Sequence, residues 1–135
     1  MIEVTVSATK DSISKFIASV DGELGRIGCP PKANAQIDIC IDEILGNIAR
    51  YAYGSGTGDA TVRLDFDEAQ RLVSLTFVDS GMPFDPRDVP EPDTTSSLED
   101  RPIGGLGLFM VRNLVDSMAY RREDGQNVLT ICKRI

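Results

Sequence analysis

Apolar and polar positions alternate from Met1 to Ala8, with Ile2, Val4 and Val6 on one side of the chain. This two-residue period predicts a short strand with one buried face. The period then changes: Ile13, Phe16, Ile17, Val20, Leu24 and Ile27 recur every three or four residues, the spacing of an apolar stripe down one side of a helix. Thr9-Lys10-Asp11 offers capping residues ahead of that stripe, and Gly28 with Pro30-Pro31 ends it. A second helix is predicted from Lys32 to Tyr53, carrying Ile37, Ile41, Ile44, Leu45 and Ile48 on one face, until the run Gly54-Ser55-Gly56-Thr57-Gly58 breaks the pattern. Alternation returns over residues 59–67 and 71–79. The tight connection from Asp67 to Gln70 makes these two strands an antiparallel hairpin.

From Ser80 to Gly105 no period survives, and Pro, Asp, Ser and Gly dominate. A loop of that length in a compact domain is uncommon unless it serves as a lid or binding segment. Leu108, Val111, Leu114 and Val115 then mark a third helix over Leu106 to Ser117, and strands are predicted at 118–123 and 127–134 around the turn Glu123-Asp124-Gly125-Gln126. This order implies an α/β (α+β) two-layer sandwich, a mixed, largely antiparallel sheet with helices on one face.

With 135 residues the chain suits a single domain, 1–135. Its 14 Lys plus Arg against 21 Asp plus Glu give a net charge of −7, which repels a polyanion and argues against direct nucleic-acid binding. Any phosphate site must therefore be local. The three cysteines, Cys29, Cys40 and Cys132, are far apart and the chain has no histidine, so neither a zinc-ligand spacing nor a disulfide framework is expected. They read as buried thiols in a reducing compartment. No apolar run approaches the roughly 18 residues of a membrane span, and residues 1–20 lack a basic start followed by an apolar block. The expectation is a cytoplasmic protein with no membrane partner.

Three stretches carry chemistry. Glu43 and Asn47 stand four residues apart on the second helix, and at about 100° per residue they point the same way, roughly a quarter-turn from the isoleucine stripe. That places them at the rim of a cleft beside the buried face. A carboxylate there can act as a general base, and an amide oxygen is a hard ligand suited to magnesium; a Glu/Asn pair alone is more often a solvated helix face. The strand ending at Val78 runs into Asp79-Ser80-Gly81. This is commonly just a turn, but an ionised carboxylate accepts hydrogen bonds only, which suits an exocyclic amine such as adenine N6. Gly81 would let a flat base approach the backbone. Finally, Gly104-Gly105-Leu106-Gly107-Leu108 lies where the long loop meets the third helix, and helix-start N–H groups attract phosphate. The Gly54–Gly58 run is a rival phosphate loop, although it precedes a strand.

In this order, "IDEILGNIARYAY", "VDSGMPFDP" and "GGLGLFMVRNLVD" resemble the N box and the two glycine boxes of the GHKL (histidine-kinase-like) ATPase superfamily. Within it, the chain looks most like the anti-sigma-factor serine/threonine kinases, over nearly its whole length. The resemblance implies the Bergerat ATP-binding fold and ATP with Mg2+ as cofactors. It implies Glu43 as catalytic base and Asn47 as the metal ligand. It further implies nucleotide contacts at Asn47, Arg50, Asp79, Gly81, Phe84, Gly104, Gly105, Leu106, Gly107 and Leu108. The activity it implies is phosphorylation of a small anti-sigma-factor antagonist of the STAS type in a partner-switching circuit, with a sigma factor and a homodimer as further partners. The other reading is a non-catalytic module that holds ATP and a protein partner. Two departures bear on the choice: Tyr51-Ala52-Tyr53 stands where the family commonly has His-Gly/Ala-Tyr, and Ile103, not Arg, precedes the second glycine box, with Arg101 two residues earlier.

Overall fold

The computed structural model describes residues 2–52, 58–86 and 105–135. Strand β1 (Ile2–Ser7) leads into helix α1 (Lys10–Arg26), whose N-cap Thr9 accepts a hydrogen bond from the Ser12 N–H at 3.3 Å. Ile13, Phe16, Val20 and Leu24 form its buried stripe. After Gly28, at φ +75°, Pro30-Pro31 opens helix α2 (Pro31–Asn47), a start that suits proline because the first helical N–H groups have no helical partner.

The second helix differs from its expected span. The α-helical part stops at Asn47, and a single π-helical turn, Ile48–Ala52, continues it. The Ile48 N–H is shared between the carbonyls of Ile44 and Leu45, at the junction of the two windings. A 3.6-residue period cannot register the extra residue of a π turn, and such turns concentrate at functional sites. Residues 53–57, including most of the glycine run, lie outside the described residues, as do residues 87–104 of the long loop.

Strands β2 (Asp59–Asp67) and β3 (Leu72–Asp79) form the expected hairpin; helix α3 (Gly105–Leu114) and strands β4 (Ser117–Glu123) and β5 (Gln126–Arg134) complete the chain. The sheet order is β1-β2-β3-β5-β4, and all four pairings are antiparallel. The largely antiparallel sheet is therefore antiparallel throughout among the described strands, and the mixed pairing also allowed by the sequence is absent there. The physical reason is local: both hairpins, β2–β3 and β4–β5, join strands through short turns, which require antiparallel neighbours.

One sheet face is apolar. Ala60, Val62 and Leu64 of β2, Val73, Leu75 and Phe77 of β3, and Leu129 and Ile131 of β5 are buried against the stripes of α1, α2 and Val111 of α3. The opposite face carries cross-strand polar pairs: Thr5 with Thr61, Thr76 with Thr130, Ser74 with Cys132, and Glu3 with Arg63. Of the three free cysteines only Cys40 is fully buried, and burial pushes its thiol up to about 11. Cys29 and Cys132 are half-buried, short of the full burial expected, because Cys29 sits at the margin of the core and Cys132 on the opposite face of the sheet beside Ser74. Among the described residues no helix is long and apolar enough to cross a membrane.

Candidate functional site

The inward face of the sheet and the end of α2 part at one corner and leave a cleft open to solvent. Ile44, Asn47 and Ile48 form one wall; Phe77 and Asp79 of β3 and Leu129 of β5 form the floor. Met82, Phe84 and Pro86 come from the segment after β3, Leu108 from α3, and Tyr120 and Asn127 from β4 and β5. Most of this lining is apolar, with a small set of convergent polar groups, the usual make-up of a small-molecule site.

Asp79 is buried among those polar groups, only 6% exposed. It sits where the alternation of β3 demands an inward apolar residue, so its carboxylate must be bonded. Its Oδ1 accepts from the Gly81 N–H at 2.9 Å and from Asn127 Nδ2 at 2.9 Å. Among the described residues these are the donors to the carboxylate, so its second oxygen can accept from a ligand. Gly81 itself is buried, and its carbonyl accepts from Arg122 Nη1 at 2.7 Å.

Glu43 is half-buried on α2, one turn before Asn47, which is 8% exposed. Its carboxylate lies against α3 at Gly107: a Cβ at that position would stand 2.7 Å from the Glu43 Cδ. Gly107 thus gives Glu43 room beside the first turn of α3, and the two stretches meet although they are far apart in sequence. Gly105 begins α3 and Leu106 follows it; Leu108 reaches the cleft; Gly104 lies outside the described residues. Phe84 lines the cleft while 39% exposed. Arg50 is exposed on the π turn, its guanidinium over Gly46, with Nη1 3.4 Å from where a Cβ would stand; it does not line the cleft.

Three contributors were missed in the sequence: Asn127, Tyr120 and Arg122. A signal existed for the first. Along β5 the inward positions are Asn127, Leu129 and Ile131, so Asn127 is a polar residue on an apolar face.

An adenine nucleotide fits these residues. The apolar walls can hold a flat base, and the second Asp79 oxygen can accept from its amine. For a divalent ion the structure offers no cluster of three or more acidic, Cys or His side chains among the described residues. The Asn47 amide supplies a hard oxygen donor on one wall of the cleft.

A two-layer sandwich with a cleft between helix and sheet defines the class of fold, and residues 6–133 match the family described as the histidine kinase-like ATPase domain. The chain belongs to this family. It is 36% identical over 95 residues to the serine/threonine-protein kinase BtrW of Bordetella bronchiseptica, covering 70% of this chain and 66% of that protein, so the chain spans just under two thirds of that relative. It is 27% identical over 128 residues to the serine-protein kinase RsbW of Halalkalibacterium halodurans, covering 92% of this chain and 77% of that one. Among solved structures, the RsbU and RsbW domains of Rv1364c from Mycobacterium tuberculosis superpose with a TM-score of 0.70 at 19% identity, over 98% of this chain and 32% of that chain. The SiaB–SiaC complex from Pseudomonas aeruginosa gives a TM-score of 0.61 at 16% identity, over 100% of this chain and 90% of the matched chain. These two likenesses establish the fold.

Proposed function

We propose that this protein is an ATP-dependent protein serine/threonine kinase of the anti-sigma-factor type. It is a single ATP-binding unit over residues 1–135, acts in the cytoplasm, and phosphorylates a small STAS-type antagonist in a partner-switching circuit that also holds a sigma factor. The observation that carries the reading is the meeting of Glu43 with the first turn of α3 beside a cleft floored by Asp79. In this reading, base recognition at Asp79 and a carboxylate base at Glu43 belong to two ends of one site. The names of BtrW and RsbW, both protein kinases acting on serine or threonine, point the same way.

In this reading Asp79 orients the base by accepting from its amine, while Ile44, Phe77 and Leu129 exclude water from the ring. The N–H groups opening α3, with the positive end of its dipole, hold phosphate oxygens at Gly104, Gly105 and Gly107. ATP supplies the phosphoryl group, and Asn47 helps to hold Mg2+, which offsets the phosphate charge. Glu43 takes the proton from the attacking hydroxyl of the protein substrate. A positioned base of this kind contributes about 10²–10⁴ in rate.

Transfer of labelled phosphate from ATP to candidate antagonists encoded beside this chain tests the proposal. The wild type should label one of them on serine or threonine. Glu43→Ala should keep ATP affinity and lose transfer by about 10²–10⁴, because a base acts on the transition state more than on bound nucleotide. Transfer at the wild-type rate by Glu43→Ala would remove Glu43 as base. ATP binding with no transfer by the wild type would assign the non-catalytic module.

A further inference from the structure

One side chain links four residues of the cleft. Asn127, 5% exposed, faces Asp79 across the β3–β5 pairing. Its Nδ2 donates to Asp79 Oδ1 at 2.9 Å and to the Met82 carbonyl at 2.8 Å. Its Oδ1 accepts from Tyr120 Oη at 2.6 Å and from the Phe84 N–H at 3.3 Å. The orientation of the amide is forced: the Phe84 N–H can only donate and the Met82 carbonyl can only accept, so the oxygen and the nitrogen cannot exchange places. All four hydrogen-bonding positions of the amide are filled.

Other groups also hold the segment after β3: Arg122 Nη1 reaches the Gly81 carbonyl at 2.7 Å, and Gln126 Nε2 reaches Ser80 Oγ at 3.3 Å. Asn127 ties that segment at two backbone positions and also bonds one oxygen of Asp79.

We infer that Asn127 is the positioning residue for base selectivity, an inference that rests on the adenine-nucleotide reading. By occupying Oδ1 of Asp79 it leaves one acceptor for the ligand. By using all of its own donors and acceptors it offers the base no second polar contact. The open oxygen of Asp79 is then the acceptor a base meets, which favours an amine at the purine 6-position, and the same amide holds Met82 and Phe84 at the rim. Replacing the Asn127 amide with a group that cannot donate leaves Oδ1 with the Gly81 N–H as its one donor, loosens the hold on the carboxylate and releases the rim.

Asn127→Asp is the informative variant, since it keeps shape and acceptor while converting the donor into a second carboxylate. Calorimetric titration with ATP and with inosine triphosphate, which carries a 6-oxo group, is run on the variant and the wild type from about pH 5 to about pH 8. Near pH 8 the variant should lose roughly 10- to 100-fold in ATP affinity relative to the wild type at the same pH, the scale of a bond to a charged group. Its preference for ATP over inosine triphosphate should shrink alongside. Toward pH 5 both should recover, because the introduced carboxyl regains a donor when it takes up a proton. Wild-type affinity and selectivity for the variant at pH 8, or a loss of the same size at both ends of the range in a folded variant, would overturn the inference.

The rim is tested separately from nucleotide. Amide exchange at Phe84 in the free protein should quicken about tenfold in Asn127→Asp at pH 8, and severalfold in Tyr120→Phe, whose ring remains to pack. Unchanged exchange in both variants overturns the positioning role. If the wild type fails to bind ATP while Phe84 exchange responds as expected, the adenine reading falls and the clamp stands.

Discussion

At the scale of single residues, Gly107 is where sequence and structure give one residue two roles. As part of a glycine box it reads as a phosphate contact, yet its lack of a Cβ is what lets the Glu43 carboxylate lie against α3. Gly107→Ala separates the two. Alanine favours a helix over glycine by up to about 1 kcal/mol, and the atoms it would strike are the free end of a rotatable side chain. Glu43 should turn aside, with the urea midpoint unchanged or slightly raised. If the glycine serves Glu43, transfer falls toward the level of Glu43→Ala while ATP affinity holds; if affinity is lost in step with transfer, the glycine serves the phosphates. Glu43, Asn47, Asp79 and Leu108 were legible because each stands out locally, a polar pair beside an apolar stripe, a carboxylate ending a strand, a helix start rich in glycine. Tyr120 and Arg122 were not, because their roles come from partners about forty residues distant in sequence, the Gly81 carbonyl for Arg122 and the segment held through Asn127 for Tyr120. Asn127 could have been picked out as a polar residue at an inward position, but not its partners.

Elements were read well where one period ran without interruption. The stripe of α1 and the alternation of β2 place those elements to within a residue or two of Lys10–Arg26 and Asp59–Asp67. The end of α2 escaped because the π turn keeps a helical composition while changing the winding. The hairpin turn carries a similar hidden feature: Arg71 adopts φ 52°, and its guanidinium reaches the carbonyls of Ile27 and Gly28, tying the β2–β3 turn to the end of α1. The cap at the other end of α1 gives a direct test. Thr9 accepts the Ser12 N–H in extended backbone, φ −124° and ψ 153°, so Thr9→Ala leaves that donor to water. The loss should be about 0.5–1 kcal/mol, at the low end for caps because the bond is 3.3 Å long. A lower urea midpoint with unaltered slope is the expected result, and no change would mean that water caps this helix as well as threonine does.

For the molecule as a whole, the hairpins were legible but their arrangement was not, since nothing local dictates that β5 and not β4 lies beside β3. Composition explains the outcome: β5 buries Val128, Leu129 and Ile131, while β4 ends in Arg121-Arg122-Glu123, charges that suit an edge strand. The helical layer carries its own strain. Asp21 of α1 and Asp38 of α2 share the Asn34 amide, at 3.0 and 3.4 Å, and Oδ1 of Asp38 is buried without a partner. Burial, with the hydrogen bond and charge of Asp21, pushes Asp38 from its ordinary 3.8 up to about 7. A carboxyl raised in this way holds a proton in the folded chain that the unfolded chain has released, so unfolding releases a proton between about pH 4 and about pH 7. Stability from this group therefore falls as pH rises through that window and stays at its lower level above it. Asp38→Asn keeps the shape and cannot ionise. Its urea midpoint should exceed that of the wild type at pH 8 and converge with it near pH 4, with the difference growing between those limits. Equal midpoints at pH 8 would mean that the carboxylate is accommodated between α1 and α2 without cost, by water reaching Oδ1.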